Sequence, residues 1–316
     1  NQILRHDLVE GCYARSGLLS DGQLYETFPG SYTVDAARRH RWIRGDWQIL
    51  GWLLPFTKDA SGQSKANELS LLSRWKIFDN LRRSLVPMSQ LVLFVLSWTW
   101  LSEALFWTAS MAALIYLPGI MFFLSDVLRK PSEMPLSQHL KNAFVSFRQS
   151  LSLTTFHLSC VPYEALSNSD AILRTLYRMF VSHKHLLEWR TASSVKASPY
   201  MSAFWRSMWF GPLVGLVLAA YLGWARPGVL VFAAPVLALW IFSPCFAWAL
   251  SRPKDQKIAT LTSKQTRFLG ATARRTWQFF LHLAGPEDNF LPPDNYQIEP
   301  VERIAHRTSP TNIGMA

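Results

Sequence analysis

Residues 104–124 read Ala104-Leu-Phe-Trp-Thr-Ala-Ser-Met-Ala-Ala-Leu-Ile-Tyr-Leu-Pro-Gly-Ile-Met-Phe-Phe-Leu124, a run without a single ionisable charge. A helix rises about 1.5 Å per residue, so a run of this length matches the roughly 30 Å hydrocarbon core of a bilayer. Three more charge-free runs follow the same pattern: Leu85–Ser102, Ser207–Ala225 and Pro227–Leu250. Glu103 separates the first pair and Arg226 the second, leaving connections too short for anything but tight hairpins. A buried helix of a soluble protein seldom runs so long without charge, and the pattern predicts four transmembrane helices. Trp98, Trp100 and Trp107 cluster around Glu103, and Trp224 lies beside Arg226, as interfacial aromatics do.

Composition agrees. Of the 316 residues, 49% are hydrophobic and only 17% charged, which is too apolar for a simple soluble domain. The net charge of +11 suits nucleic acid or an anionic membrane face. No nucleic-acid motif accompanies it, so no nucleic-acid partner is expected and a phospholipid bilayer is. Cys12, Cys160 and Cys245 are widely spaced, giving neither a disulfide framework nor a metal spacing. Between Ser125 and Arg206 there are ten Lys or Arg against five acids, whereas the hairpin tips hold one Glu and one Arg. The positive-inside rule then puts the N-terminal part, the middle segment and the tail in the cytoplasm.

Ahead of the apolar runs lies Arg38-Arg-His-Arg-Trp-Ile-Arg-Gly-Asp-Trp-Gln48, on a helix predicted from about Thr33 to Leu54. Guanidinium groups offer planar forks of donors that fit phosphate oxygens. The indoles of Trp42 and Trp47 offer flat apolar faces for a sugar ring. The same composition also describes a basic amphipathic helix lying on a membrane. Lys58–Lys65 reads as a polar linker. Residues 70–84 mix Leu71, Leu72, Trp75, Ile77 and Phe78 with Arg74, Lys76, Arg82 and Arg83, as a segment at a headgroup layer would. In Ser169–Trp189 an apolar face with Ile172, Leu173 and Leu176 opposes Arg174, Arg178 and His185, suggesting a helix on the inner leaflet. His183 and His185 point to different helix faces and are not read as a metal pair. A further helix is expected over Lys264–Ala284, ended by Gly285-Pro286. Beyond it Glu287, Asp288, Asp294 and Glu299 stand among prolines and aromatics; they suit a sugar-binding loop or, more plainly, turns.

The arginine stretch resembles the Gln-x-x-Arg-Trp motif of processive membrane glycosyltransferases of the cellulose-synthase type, with Arg38 in place of the leading Gln. His6-Asp7-Leu8-Val9-Glu10-Gly11 stands where those enzymes carry the catalytic Asp. The string from His6 to Gln48 is more similar still to the cyclic β-1,2-glucan synthases. The tail segments Gly285-Pro-Glu-Asp-Asn, Leu291-Pro-Pro-Asp-Asn-Tyr and His306-Arg-Thr-Ser-Pro-Thr-Asn-Ile-Gly resemble the start of the glycoside-active domain that follows the transferase in that family.

The resemblance implies a mainly α membrane protein: the C-terminal end of a GT-A α/β glycosyltransferase domain over 1–57, a linker and interface helix over 58–84, transmembrane hairpins over 85–124 and 207–250, a cytoplasmic amphipathic segment over 125–206, and over 251–316 a linker helix with the start of an (α/α)6 barrel. The chain is then expected to be an internal segment of a larger enzyme, inactive alone, in the bacterial inner membrane. The implied reaction extends a β-glucan chain from UDP-glucose by an inverting transfer. Its implied roles are Asp7 as base, Arg41 with Arg38 and Arg44 towards the donor, and Trp42 with Trp47 beneath the acceptor. Asp294, Arg307 and Thr308 become candidates for the second domain. An implied Mg²⁺ or Mn²⁺ would be held by residues ahead of Asn1. The alternatives are another processive polysaccharide synthase, or a non-enzymatic transporter or scaffold.

Overall fold

The computed structural model describes residues 7–14, 23, 25, 29–58, 63–188, 198–252 and 261–315. It is mainly helical, and the chain divides into two compact units, Asn1–Pro253 and Lys254–Ala316.

In the first unit a short helix α1 (Asp7–Tyr13) is followed by α2 (Tyr32–Gln48). One 3₁₀ turn (Leu50–Leu53) continues α2 over part of the predicted Thr33–Leu54 helix. Strands β1 (Phe56–Lys58) and β2 (Ser64–Ala66) then pair antiparallel, so the predicted polar linker is flanked by a small hairpin. Among the described residues of 7–66 the elements are helices, the 3₁₀ turn and that hairpin, without an α/β sheet.

Helix α3 (Leu71–Thr99) begins at Ser70, whose Oγ accepts from the Ser73 amide at 3.2 Å. It fuses the expected interface helix and the first expected span into one element. Its buried residues Ile77, Leu81, Ser84, Pro87, Phe94, Ser97 and Trp98 recur every three or four positions, the spacing of one helix face. Helices α4 (Ala104–Leu128) and α8 (Pro227–Leu250) are each long and apolar enough to cross a membrane. Helices α6 (Met201–Ser207) and α7 (Phe210–Ala225) meet at a 69° bend and make a third candidate if taken as one broken span. The first of the four expected spans is corrected: past Arg83 only residues 85–99 of α3 are apolar helix, about 22 Å, short of a full crossing. By length and composition the described residues therefore hold two spans, or three with the bent pair.

The middle segment differs most from expectation. Its core is α5 (Leu136–Tyr177), a single 42-residue helix that packs against α2, α3, α4, α7 and α8. The stretch expected to lie on a leaflet is the end of this helix, and Ala171, Ile172 and Thr175 are buried against protein. Pro162 sits inside the helix in full burial.

Aromatic packing closes the core. Trp240 lies 5.5 Å from Trp98 and edge-on to Phe94 at 5.8 Å. Both indoles are fully buried, and each finds an acceptor, Trp240 at the Leu158 carbonyl (3.0 Å) and Trp98 at Thr108 Oγ1 (2.9 Å). Gly215 lets α7 approach α8 closely: a Cβ there would stand 2.7 Å from Ile241 Cγ1. Arg226, at the hairpin tip, donates to the carbonyls of Trp98 (3.4 Å) and Leu101 (3.2 Å), satisfying the open end of α3.

The second unit consists of α9 (Ser263–Leu283), a hairpin of β3 (Tyr296–Gln297) and β4 (Arg303–Ile304), and α10 (Pro310–Met315). A reciprocal capping box between Thr262 and Gln265 starts α9, three residues apart as that motif requires.

Candidate functional site

Helix α2 lies in a trough formed by α5 and α3, and charge fixes it there. Asp35 pairs with Arg38 (3.1 Å) and Arg39 (3.0 Å) one turn on, which stabilises the helix locally. Arg39 also reaches Glu164 of α5 at 2.8 Å, and Tyr32 Oη donates to the same carboxylate at 2.9 Å. Farther along, His40 meets Asp170 at 2.8 Å, and Asp170 is held from its other side by Arg174 at 2.7 Å. Past α5 the chain turns through His183 and His185, both with positive φ, and folds back on α2. The turn presents the carbonyl of Leu186 to Gln48 (2.9 Å) and that of Glu188 to Arg44 (3.1 Å).

The result is a cavity of about 510 Å³ between α2 and α5. Arg38, Arg41 and Arg44 all line it, because a spacing of three keeps them on one side of the helix. His40, Asp170, Arg174, Glu188 and Ser167 complete its polar wall. Arg44 is the most telling group. It is 8% exposed, one Nη donates to Glu188, and its Nε and other Nη are buried without a partner among the described residues. Burial pushes its pKa below the ordinary arginine value, and the charges of Arg178 and Arg174 add to that. A buried cation with unused donors, facing a cavity among like charges, favours an anion with several acceptor oxygens.

The predicted residues separate. Arg38, Arg41 and Arg44 come together on the cavity. Trp42 lies beside them, half-buried, with the Arg38 guanidinium 4.6 Å above its ring. Trp47 is used structurally: its indole donates to Ser84 Oγ at 2.9 Å and packs against a core of Val9, Ile49, Ile77 and Leu81. Asp7 is exposed in the first turn of α1 and is not among the residues lining the cavity. In the tail, Asp294 pairs with Arg307 at 3.2 Å, and the Asn312 amide donates to the Pro293 and Asp294 carbonyls at 3.1 Å each. Thr308 is near them in sequence, its hydroxyl buried without a partner among the described residues. His183 and His185 are exposed in the turn.

Sequence reading missed the α5 half of the site. Asp170 and Arg174 stand one turn apart, a helical pair visible in the sequence, but nothing in it shows that they face His40 rather than solvent.

No protein-family model matches the chain. The whole chain aligns, at 36% identity over 320 residues, with the curated cyclic beta-(1,2)-glucan synthase NdvB of Rhizobium meliloti (strain 1021). The chain is homologous to a segment of a cyclic β-glucan synthase. It spans 11% of the length of that relative. The apolar helices α4 and α8 agree with a membrane protein.

Proposed function

We propose that this segment serves a membrane-bound inverting glycosyltransferase, which polymerises glucose from UDP-glucose into cyclic β-1,2-glucan on the cytoplasmic side of a bacterial inner membrane. One observation carries the reading: three arginines of α2 converge on a single cavity, and the buried one keeps unused donors, in a chain homologous throughout to a β-(1,2)-glucan synthase. The fork of Arg41, with Arg44 and Arg38, grips the diphosphate of the donor and steadies the charge that builds on it as the sugar departs. Asp7 takes the proton from the attacking hydroxyl of the acceptor as that oxygen bonds to the anomeric carbon. UDP leaves from the opposite face, inverting the configuration. Trp42 supports the acceptor ring with its indole face.

The family's Mg²⁺ or Mn²⁺ would neutralise diphosphate charge when bound. Among the described residues no group of three or more His, Cys, Asp or Glu side chains comes together as a metal site, so no residue here is given that role.

The reading is tested by Asp7→Asn in the full-length enzyme, which keeps the side chain's size and removes the base. Elongation from UDP-glucose should fall about 10²-fold or more. Cyclisation of supplied glucan, assigned to the other active domain, should persist. Elongation at the wild-type rate would make Asp7 structural.

A further inference from the structure

Helix α9 combines two features that the glucan-synthesising reading does not use. It has no buried residue, and its large apolar side chains stand open: Phe268 is 69% exposed, Leu269 50%, Trp277 49% and Leu281 65%. At 100° per residue, Leu269, Ala273, Trp277, Phe280 and Ala284 fall on one face. Trp277 and Phe280 touch along that face, with ring centroids 5.8 Å apart. Lys264, Arg275 and His282 occupy the opposite side together with Phe268 and Phe279, Arg267 and Arg274 lie along its margin beside Leu281, and the helix contains no acid.

We propose that α9 is an interfacial helix that lies in the plane of the membrane and binds anionic phospholipid. An apolar stripe with an indole at its centre suits the boundary between headgroups and acyl chains, and basic side chains on the other sides of a helix without acids complement phosphate headgroups. The long arginine stems can run along the apolar boundary while their guanidiniums rise to the phosphates. The occupant is argued from charge and from tethering. A protein groove taking the same stripe would not require a polar face without one carboxylate, whereas an anionic leaflet selects for that. The chain also leaves α8, which is long and apolar enough to cross a membrane, at Leu250, and α9 starts at Ser263, so residues 251–262 tether the helix to the bilayer. The capping box at Thr262 and Gln265 fixes where the helix begins without help from a partner.

The experiment places a benzophenone amino acid at position 277, and separately at 275, in the full-length protein held in nanodiscs. One set contains phosphatidylglycerol and the other only phosphatidylcholine. The proposal expects a lipid adduct at position 277, little at 275, and a yield at least several-fold lower in the phosphatidylcholine discs. Arg274→Glu with Arg275→Glu should lower the adduct at 277 by a similar factor while leaving the expression level unchanged. A protein adduct at 277, or no adduct at all, would overturn the proposal. Equal lipid yield in both discs would overturn the anionic selectivity that carries it.

Discussion

Arg39 of α2 donates to the Glu164 carboxylate of α5 at 2.8 Å, joining positions 125 residues apart. Glu164 also accepts from Tyr32, and its side chain is 13% exposed against 31% for Arg39. Removing one member of such a pair leaves the other charge poorly solvated, which outweighs the modest net value of the pair itself. Glu164→Ala should destabilise the first unit by about 2–3 kcal/mol, after allowing for the partial exposure of Arg39. Thermal unfolding in detergent measures this, and adding Arg39→Ala should recover part of the loss.

The close approach of α7 and α8 rests on Gly215. A Cβ there meets Ile241 Cγ1 at 2.7 Å and the Leu237 carbonyl at 3.3 Å. Gly215→Ala already forces Ile241 to shift at Cγ1, next to its stiff branched Cβ, and crowds the Leu237 carbonyl, whereas Gly215→Val adds two further methyl groups to the same contact. The valine variant should lose about 1–3 kcal/mol, and the alanine variant less. Comparing the two unfolding midpoints checks the order.

Acid should loosen the α2–α5 contact. Burial pushes the His40 pKa below the ordinary histidine range, more than Asp170 at 2.8 Å pulls it up, and Arg44 and Arg174 add to the lowering. The unfolded chain therefore takes this proton first, near pH 6.5, so stability is full above that value and declines as pH falls below it. Asp170 adds a loss of the same sign at lower pH: burial raises its pKa, but the hydrogen bonds from Arg174 and His40 outweigh that and hold it below the usual carboxylate value. His40→Gln should flatten the decline of melting temperature between about pH 6.5 and 5.

Loop charge predicts an orientation for the apolar helices. Single cysteines at Glu103 and Lys184, in a protein lacking Cys12, Cys160 and Cys245, should react differently with an impermeant maleimide added to sealed cells. Position 103 should label and position 184 should not. The reverse pattern would invert the topology.

Much of this architecture was legible. The charge-free runs marked α4 and α8 because length and apolarity alone decide a crossing, and the arginine spacing marked the α2 face of the cavity because a three-residue period is local information. The continuity of α5 was hidden: an internal Pro162 and a mixed surface masked a helix that tertiary packing sustains on several sides. The packing of Trp47 was hidden for a related reason. An indole beside arginines suits a sugar, yet its partner Ser84 stands on another helix, where no local pattern points. The first apolar run stopped short as a span because α3 ends at Thr99, three residues before the charge-free run does, and run counting cannot see where the helix stops.

The most direct measurement of the donor-site claim is the initial elongation rate of the full-length synthase against UDP-glucose for Arg41→Lys, with Arg44→Lys beside it. Lysine keeps the charge that a lipid surface would attract and loses the bidentate fork. If the arginines grip a diphosphate, losing a charge-assisted hydrogen bond of about 1.5–3 kcal/mol should cut use of the donor roughly tenfold to a hundredfold. Dependence on glucan primer and membrane insertion should stay as in the wild type. Unchanged kinetics towards UDP-glucose in both variants would contradict the account and leave α2 a basic helix packed on α5.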